Sequence, residues 1–217
     1  TGLIGRWTVA RLSKQGHRVK VLTRNAQLRE KEYQNWIHYH GGNKEKIDLL
    51  DGDLSKANLG LSDEDQHQLA DTDVIYHMGA AFSWGLTPEQ ARQVTVDGSY
   101  ELINLAKRLP KLKQLVHLSG YMMAAAPVWK FLGLDDQKQD ATKKLSEQQV
   151  SRLYKKYGGY EAAKIESHFL MQNLACENNI PLTGILLSST IGDSQFGEID
   201  QPLSLIHIRH SRRQERG

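Results

Sequence analysis

The chain carries one cysteine, Cys176, in 217 residues. A single thiol excludes an internal disulfide, and a reducing cytoplasm is the compartment that fits by default. Cys176 falls in a helical stretch and reads as a packed helix residue. No apolar run approaches the roughly 18 residues that cross a bilayer, and no secretory leader precedes the first motif. Charge of one sign is scarce too. The formal net charge is +3, with Lys and Arg spread along the chain, too weak and scattered a balance for a nucleic-acid surface. Nine histidines occur without HExxH or paired Cys/His spacing, so no metal site is expected. What is present is an ordinary balance, 39% hydrophobic and 24% charged, in a chain long enough for one sizeable α/β domain.

Helical and strand patterns alternate. Residues 3–15 read as a helix with Ile4, Val9 and Leu12 inward, ending near Gly16. Arg18 to Thr23 reads as a strand, residues 26–36 as a polar helix, and Ile47 to Leu50 and Thr72 to Met78 as two further strands. Pro88 to Leu109 predicts a long helix with Val94, Val96, Leu102, Ile103 and Leu105 as its apolar positions. Leu115 to Ser119 is a strand, residues 145–177 are mostly helical, and Leu182 to Ser188 is a strand again. Strands separated by helices predict a parallel sheet covered on both faces.

Both ends depart from this pattern. The chain opens on Thr1-Gly2 with no strand before it. From Ser204 the alternation gives way to a basic, irregular tail. Leu203 to Ile208, LSLIHI, resembles the translation of a transposon-end adapter used in sequencing libraries; the alternative is a real strand followed by a solvated basic tail. The expected organisation is therefore an α/β domain over 1–202 and a non-native or irregular tail over 203–217.

Five motifs carry chemistry. Thr1-Gly2-Leu3-Ile4-Gly5 opens a helix. Glycine there lets backbone N–H groups approach a pyrophosphate at a helix N-terminus. At the end of the next strand stands Arg24, where an acidic side chain would hold the ribose 2′-hydroxyl of NAD. Arg24 instead offers a cation to a 2′-phosphate, with a solvent-facing arginine as the alternative. Asp53, followed by Leu54, can accept from an adenine amino group or simply close an Asx-type turn. His77-Met78-Gly79-Ala80-Ala81 puts small residues at a strand end, where a cofactor passes close to the backbone, and His77 reads as a packed or backbone-bonded histidine. Last, Tyr160 and Lys164 are four apart, hence on one helix face. A nearby ammonium favours phenolate and lowers a tyrosine pKa from its ordinary value of about 10, so that Tyr160 exchanges a proton with a carbonyl or alcohol oxygen. A surface helix pair is the alternative.

Taken in order, these residues resemble the extended short-chain dehydrogenase/reductase family over about residues 1–200. The resemblance implies an α/β, Rossmann-type doubly wound parallel sheet, here truncated at both ends, and an oxidoreductase binding NADP, with NAD as the alternative. It implies Tyr160 as acid/base, Lys164 holding the nicotinamide ribose and tuning Tyr160, and Ser119 hydrogen-bonding the substrate oxygen. Gly2, Leu3, Ile4, Gly5, Arg24, Asp53, Leu54, Ala80, Ala81, Lys164 and Ser188 are its cofactor-binding positions. Ile191-Gly192-Asp193-Ser194-Gln195-Phe196-Gly197-Glu198 resembles the GDSxTGE stretch of the male-sterility, fatty-acyl and thioester reductase branch, which reduces acyl thioesters. Val96-Asp97-Gly98-Ser99 resembles a segment shared by many branches.

Two positions depart from the family pattern. Ser119-Gly120 replaces a pair of hydroxyl residues, and Leu187 stands where a proline is expected. Met122, Met123, Trp129 and Phe131, with Phe82 and Trp84, either line an apolar substrate cleft or pack a substrate-side helix. The partner expected is a small molecule, apolar or acyl in character, with no nucleic acid and no membrane span; a homodimer is compatible. A nucleotide-sugar epimerase or dehydratase and a non-catalytic NADP sensor are the competing readings.

Overall fold

In the computed structural model, residues 2–81, 85–124, 126–134, 142–188, 190, 194 and 196 are described. Two parallel sheets form. In one, β1 (Val19–Thr23) pairs with β2 (Ile47–Asp51). In the other, the order is β3 (Val74–His77), β4 (Gln114–Gly120), β5 (Leu182–Leu187). Every pairing is parallel, as the helix–strand alternation predicts, so within each sheet the C-terminal strand ends lie along one edge.

Helices α1 (Leu3–Lys14) and α2 (Ala26–Tyr39) cover the first sheet. Their seam with it is Val9, Ala10, Val21, Tyr33, Ile37 and Ile47. The buried face of α1 is Leu3, Val9, Ala10 and Ser13, whereas Ile4 and Leu12, expected inward, are only half-buried. The short α3 (Asp63–Gln68) starts at a capping box, Ser62 with Asp65.

The predicted long helix from Pro88 is broken into α4 (Pro88–Arg92), a π-helical turn (Gln93–Asp97) and α5 (Gly98–Ala106). At the start of α5 the backbone runs close to the loop after β2: a Cβ on Gly98 would lie 2.7 Å from the Leu54 carbonyl oxygen. The widest core runs from Leu50 of β2 through Leu102, Ile103 and Leu105 of α5 to Leu115 of β4. It ends on Met171 and Ala175 of the last helix and spans both sheets. Helix α6 (Ala126–Leu132) packs through Val128, Trp129 and Leu132.

Helix α7 (Glu147–Glu177) begins at a capping box, Ser146 with Gln149, and fills the predicted 145–177 span. It is not continuous. Gly158 has φ +73° and ψ −175°, a conformation open essentially to glycine alone, and the axis breaks there. Cys176, near its end, is exposed rather than packed, because the buried face of that last turn belongs to Ala175. Among the described residues no helix is long and apolar enough to cross a membrane.

Candidate functional site

The helix that carries the first glycine motif begins uncapped. Gly2 is extended, makes no side-chain cap bond, and the first turn of α1 contains no acidic residue. Its backbone N–H groups and the positive end of the helix dipole are thus offered to an anion. Within that motif Leu3 is buried, Ile4 and Gly5 are half-buried, and nothing lies within 4 Å of a Cβ placed on Gly5. Thr8, one turn on, donates from Oγ1 to the Ile4 carbonyl at 2.9 Å, and the same oxygen lies 3.6 Å from Met78 Sδ, which brings the start of α1 close to the residue that follows β3.

The loops after β1 and β2 are stitched together. Gly52 N donates to the Thr23 carbonyl at 3.1 Å and Asn25 N to Asp51 Oδ1 at 2.9 Å. Asp53 Oδ1 accepts from Ser55 N at 2.9 Å and Ser55 Oγ at 2.7 Å, the Asx-type turn expected as one of its two readings. Those Ser55 bonds, then the charges of Arg24 and Lys56, hold its carboxyl below the usual range. Arg24, exposed at the end of β1, therefore shares its electrostatic neighbourhood with Asp53. Leu54 wedges between two glycines: a Cβ on Gly79 would lie 2.6 Å from Leu54 Cδ1, and one on Gly98 would strike its backbone. Ala80 is half-buried, and Ala81 is buried with its N–H donating to Thr95 Oγ1 at 3.0 Å. Ser188 stands exposed just past β5, beside Leu187.

The catalytic candidates come from β4 and α7. Lys164 is 9% exposed, and its Nζ donates to the Leu118 carbonyl at 2.6 Å, the residue next to Ser119. Burial pushes the Lys164 amine down to about 8. Ser119 is buried, and its Oγ has no hydrogen-bond partner among the described residues. Tyr160 sits in the first turn after the Gly158 break, half-buried and one turn before Lys164. The expected lowering of its pKa by Lys164 is corrected here. Burial, and then the charge of Glu161, raise it above the usual tyrosine value. Lys164 does not offset this rise, its ammonium being directed at the Leu118 carbonyl.

Two histidines beside this pair escaped the sequence reading. His117 shares the buried side of β4 with Ser119, and His168 follows Lys164 by one helical turn. The signals that would have found them are the strand's two-residue alternation and the helix's four-residue spacing. His77 is packed as expected, 5% exposed with Nε2 3.1 Å from Ser99 Oγ. Among the described residues no group of His, Cys, Asp or Glu converges to hold a metal.

Of the apolar residues proposed for a cleft, Met123 and Trp129 are core. They pack with Leu153, Ile165 and Phe169, and Trp129 Nε1 donates to the Met123 carbonyl at 2.9 Å. Met122 and Phe131 flank that cluster half-buried, while Phe82 and Trp84 lie outside the described residues. Most of the 191–198 motif lies outside them too, but Phe196 is placed, its ring 5.6 Å from Trp7 of α1 and 4.9 Å from His40.

A parallel α/β framework with an uncapped helix start, small residues at the strand ends and a Tyr–Lys pair beside a strand-end serine defines an NAD(P)-binding reductase domain. The chain belongs to the Male sterility protein family of NAD-binding domains, whose profile it matches over residues 1–210. It is 27% identical over 195 residues to the PKS-NRPS hybrid synthetase cheA of Chaetomium globosum, covering 89% of this chain and 4% of that protein. It is 30% identical over 96 residues to Fatty acyl-CoA reductase 2 of Mus musculus, covering 44% of this chain and 18% of that protein. The chain thus spans a small part of these curated relatives. The terminal R domain of the myxalamid PKS-NRPS pathway superposes with a TM-score of 0.64 at 22% identity, over 85% of this chain and 45% of that one. The yeast methylglyoxal/isovaleraldehyde reductase Gre2, complexed with NADPH, superposes with a TM-score of 0.61 at 16% identity, over 85% of this chain and 54% of that one.

Proposed function

We propose that this chain is the cofactor-binding and catalytic part of an NADP-dependent reductase acting on acyl thioesters. The observation that carries the reading is the hydrogen bond from Lys164 to the Leu118 carbonyl, which brings the Lys164 side chain of α7 to β4 at the residue before Ser119. Ser119 Oγ, buried and unpartnered, has a hydrogen bond to give to a substrate oxygen.

The residues present fit the dinucleotide. The uncapped start of α1 and the space at Gly5 suit a pyrophosphate, Arg24 a 2′-phosphate, and Asp53 an adenine amino group. In this reading Lys164 holds the nicotinamide ribose hydroxyls. When bound, NADPH supplies the hydride that reduces the thioester carbonyl carbon. Ser119 orients the carbonyl oxygen and Tyr160 delivers a proton to it. Loss of the thiol then leaves an aldehyde, so one thioester, one NADPH and one proton give aldehyde, free thiol and NADP. The acyl-thioester substrate is supported by the fatty acyl-CoA reductase relatives, and NADP by Arg24 and by the NADPH complex of Gre2.

The test is NADPH consumption by the protein that carries this chain, offered a long-chain acyl-CoA, an aldehyde or a nucleotide sugar. Tyr160→Phe is expected to lose about 10²–10⁴ in rate while keeping its affinity for NADPH. Undiminished turnover overturns the mechanism. Conversion of nucleotide sugars alone, with no net NADPH consumed, moves the assignment to an epimerase or dehydratase. Arg24→Ala is expected to lose the preference for NADP over NAD by roughly ten- to hundredfold, the value of a charge-assisted contact. An unchanged preference removes Arg24 from the site.

A further inference from the structure

Helix α7 repeats its four-residue spacing once more, so that Tyr160, Lys164 and His168 form one stripe. The strand facing that stripe is matched, with Ser119 and His117 on one side of β4. From β3, His77 lays its ring against His117, centroids 5.3 Å apart and 22° between planes. All three imidazoles are buried. Their protonation is constrained at one end. Ser99 Oγ donates its only hydrogen to the Thr95 carbonyl at 2.6 Å, so toward His77 Nε2, 3.1 Å away, it accepts, and His77 carries its proton on Nε2. Ser167 Oγ, 2.8 Å from Ser99 Oγ, is then a donor to it. Both nitrogens of His117 and Nδ1 of His168 are buried without a hydrogen-bond partner among the described residues, as is Ser119 Oγ.

We propose that His168 and His117 are positioning residues for Lys164, forming an uncharged imidazole wall that keeps its amine out of any ion pair and available to the cofactor ribose and to Tyr160. This rests on the reading of Tyr160 and Lys164 as the working pair. The groups that Lys164 bonds or acts on electrostatically are the Leu118 carbonyl and His117 of β4, His168 of α7 and His77 of β3. None of these is a carboxylate. Of the α7 carboxylates near the stripe, Glu166 binds Arg92 and Tyr154, Glu161 acts on Tyr160, and among the described residues Lys164 has no salt bridge. A carboxylate in the wall would hold the ammonium charged and cancel its field. Imidazole does neither while it stays neutral, and burial pushes His77 and His168 down to about 4, below the working range. The amine is left with one carbonyl and poorly solvated, and burial lowers it to about 8.

The experiment follows the Lys164 Cε resonance through a pH titration of the protein labelled with ¹³Cε-lysine, with Lys164→Arg to assign it. Wild type is expected to titrate at about 8. His168→Gln, which restores a neutral polar group, is expected to leave it within about half a pH unit. His168→Glu is expected to raise it by about 1–3 pH units, the effect of an opposite charge in contact, and to move the alkaline limb of kcat/KM with it. If His168→Glu does not fold, His117→Asp introduces the carboxylate from the strand side and carries the same expectation. A wild-type titration at the ordinary lysine value of about 10.4, a carboxylate variant that leaves the titration in place, or a glutamine variant that moves it as far, overturns the proposal. If the titrations behave as expected while Tyr160→Phe retains turnover, the catalytic reading fails and the positioning of Lys164 stands.

Discussion

Gly159→Ala separates helix propensity from packing at the point where the second half of α7 begins. By propensity alone, alanine in a helix is favoured over glycine by about 0.8–1.0 kcal/mol. The structure opposes that gain. A Cβ on Gly159 would lie 2.8 Å from the Leu86 carbonyl oxygen and 3.1 Å from that of Thr87, both backbone atoms that cannot rotate away. Overpacking of this kind costs about 1–3 kcal/mol, so the net effect is destabilisation of about 1 kcal/mol. Urea unfolding reads it as a midpoint lowered by roughly 0.5 M with an unchanged slope, taking a slope of about 2 kcal/mol/M. The alternative to lost stability is a shift of α7 away from the Leu86–Thr87 turn. That displaces Tyr160, the next residue, and a misplacement of about 1 Å costs up to about 10²-fold in rate. Gly158→Ala is the companion. Nothing lies within 4 Å of its Cβ, so its cost, about 1–3 kcal/mol, is backbone strain at φ +73°. A Gly159→Ala protein with an equal or higher midpoint and full turnover would refute the packing argument.

Glu166 accepts from Arg92 NH2 at 2.7 Å and Nε at 3.0 Å and from Tyr154 OH at 2.8 Å, joining α4 to both sides of the Gly158 break. Glu166→Gln is expected to cost about 1–3 kcal/mol, toward the lower end because the Arg92 side chain, 51% exposed, can return to water; an unchanged melting temperature would exclude the clamp. Stability should also fall on acidification. His77 and His168 are held at about 4, against about 6.5 when unfolded, so between those values the unfolded chain binds more protons. Their contribution is therefore intact above pH ~6.5 and is lost as the pH falls toward ~4, on the order of 3 kcal/mol per ring. Urea midpoints at pH 7, 6 and 5 measure it, and His168→Gln should flatten the slope; a midpoint that rises on acidification would contradict the neutral wall.

Much of this fold was legible because it depends on local periodicity. The strands at 19–23, 47–51, 74–77, 114–120 and 182–187 fall where β-branched and leucine runs lie between polar helices, and each boundary shifts by a residue or two at most. What was not legible depends on contacts made across the fold. Nothing in Pro88 to Leu109 announces a π-helical turn, nor the approach of Leu54, more than thirty residues earlier, to Gly79 and Gly98. The same holds for Cys176, whose neighbour Ala175 takes the buried position. At the site, the Tyr160–Lys164 spacing was readable, but the direction of the ammonium was not, because the Leu118 carbonyl that receives it lies 46 residues away. His117 and His168 were not singled out, because the nine histidines were weighed only for metal-ligand spacing, a test that an uncharged wall does not have to pass.

These irregularities gather around the residues proposed to react. The π-helical turn supplies Thr95, which takes the Ala81 N–H through Oγ1 and the Ser99 hydroxyl through its carbonyl. Ser99 in turn fixes His77, whose ring stacks on His117. The break at Gly158 starts a new helix in which Tyr160 and Lys164 occupy the first two turns, and Glu166 ties that helix to Arg92. A straight helix from Pro88 would carry Thr95 and Ser99 at a different relative angle. An unbroken α7 would not set Gly159 against the Leu86 and Thr87 carbonyls. Each departure from regular geometry forgoes helix stability of about 1 kcal/mol or more, and each places a polar group of the site at an orientation that regular geometry does not provide.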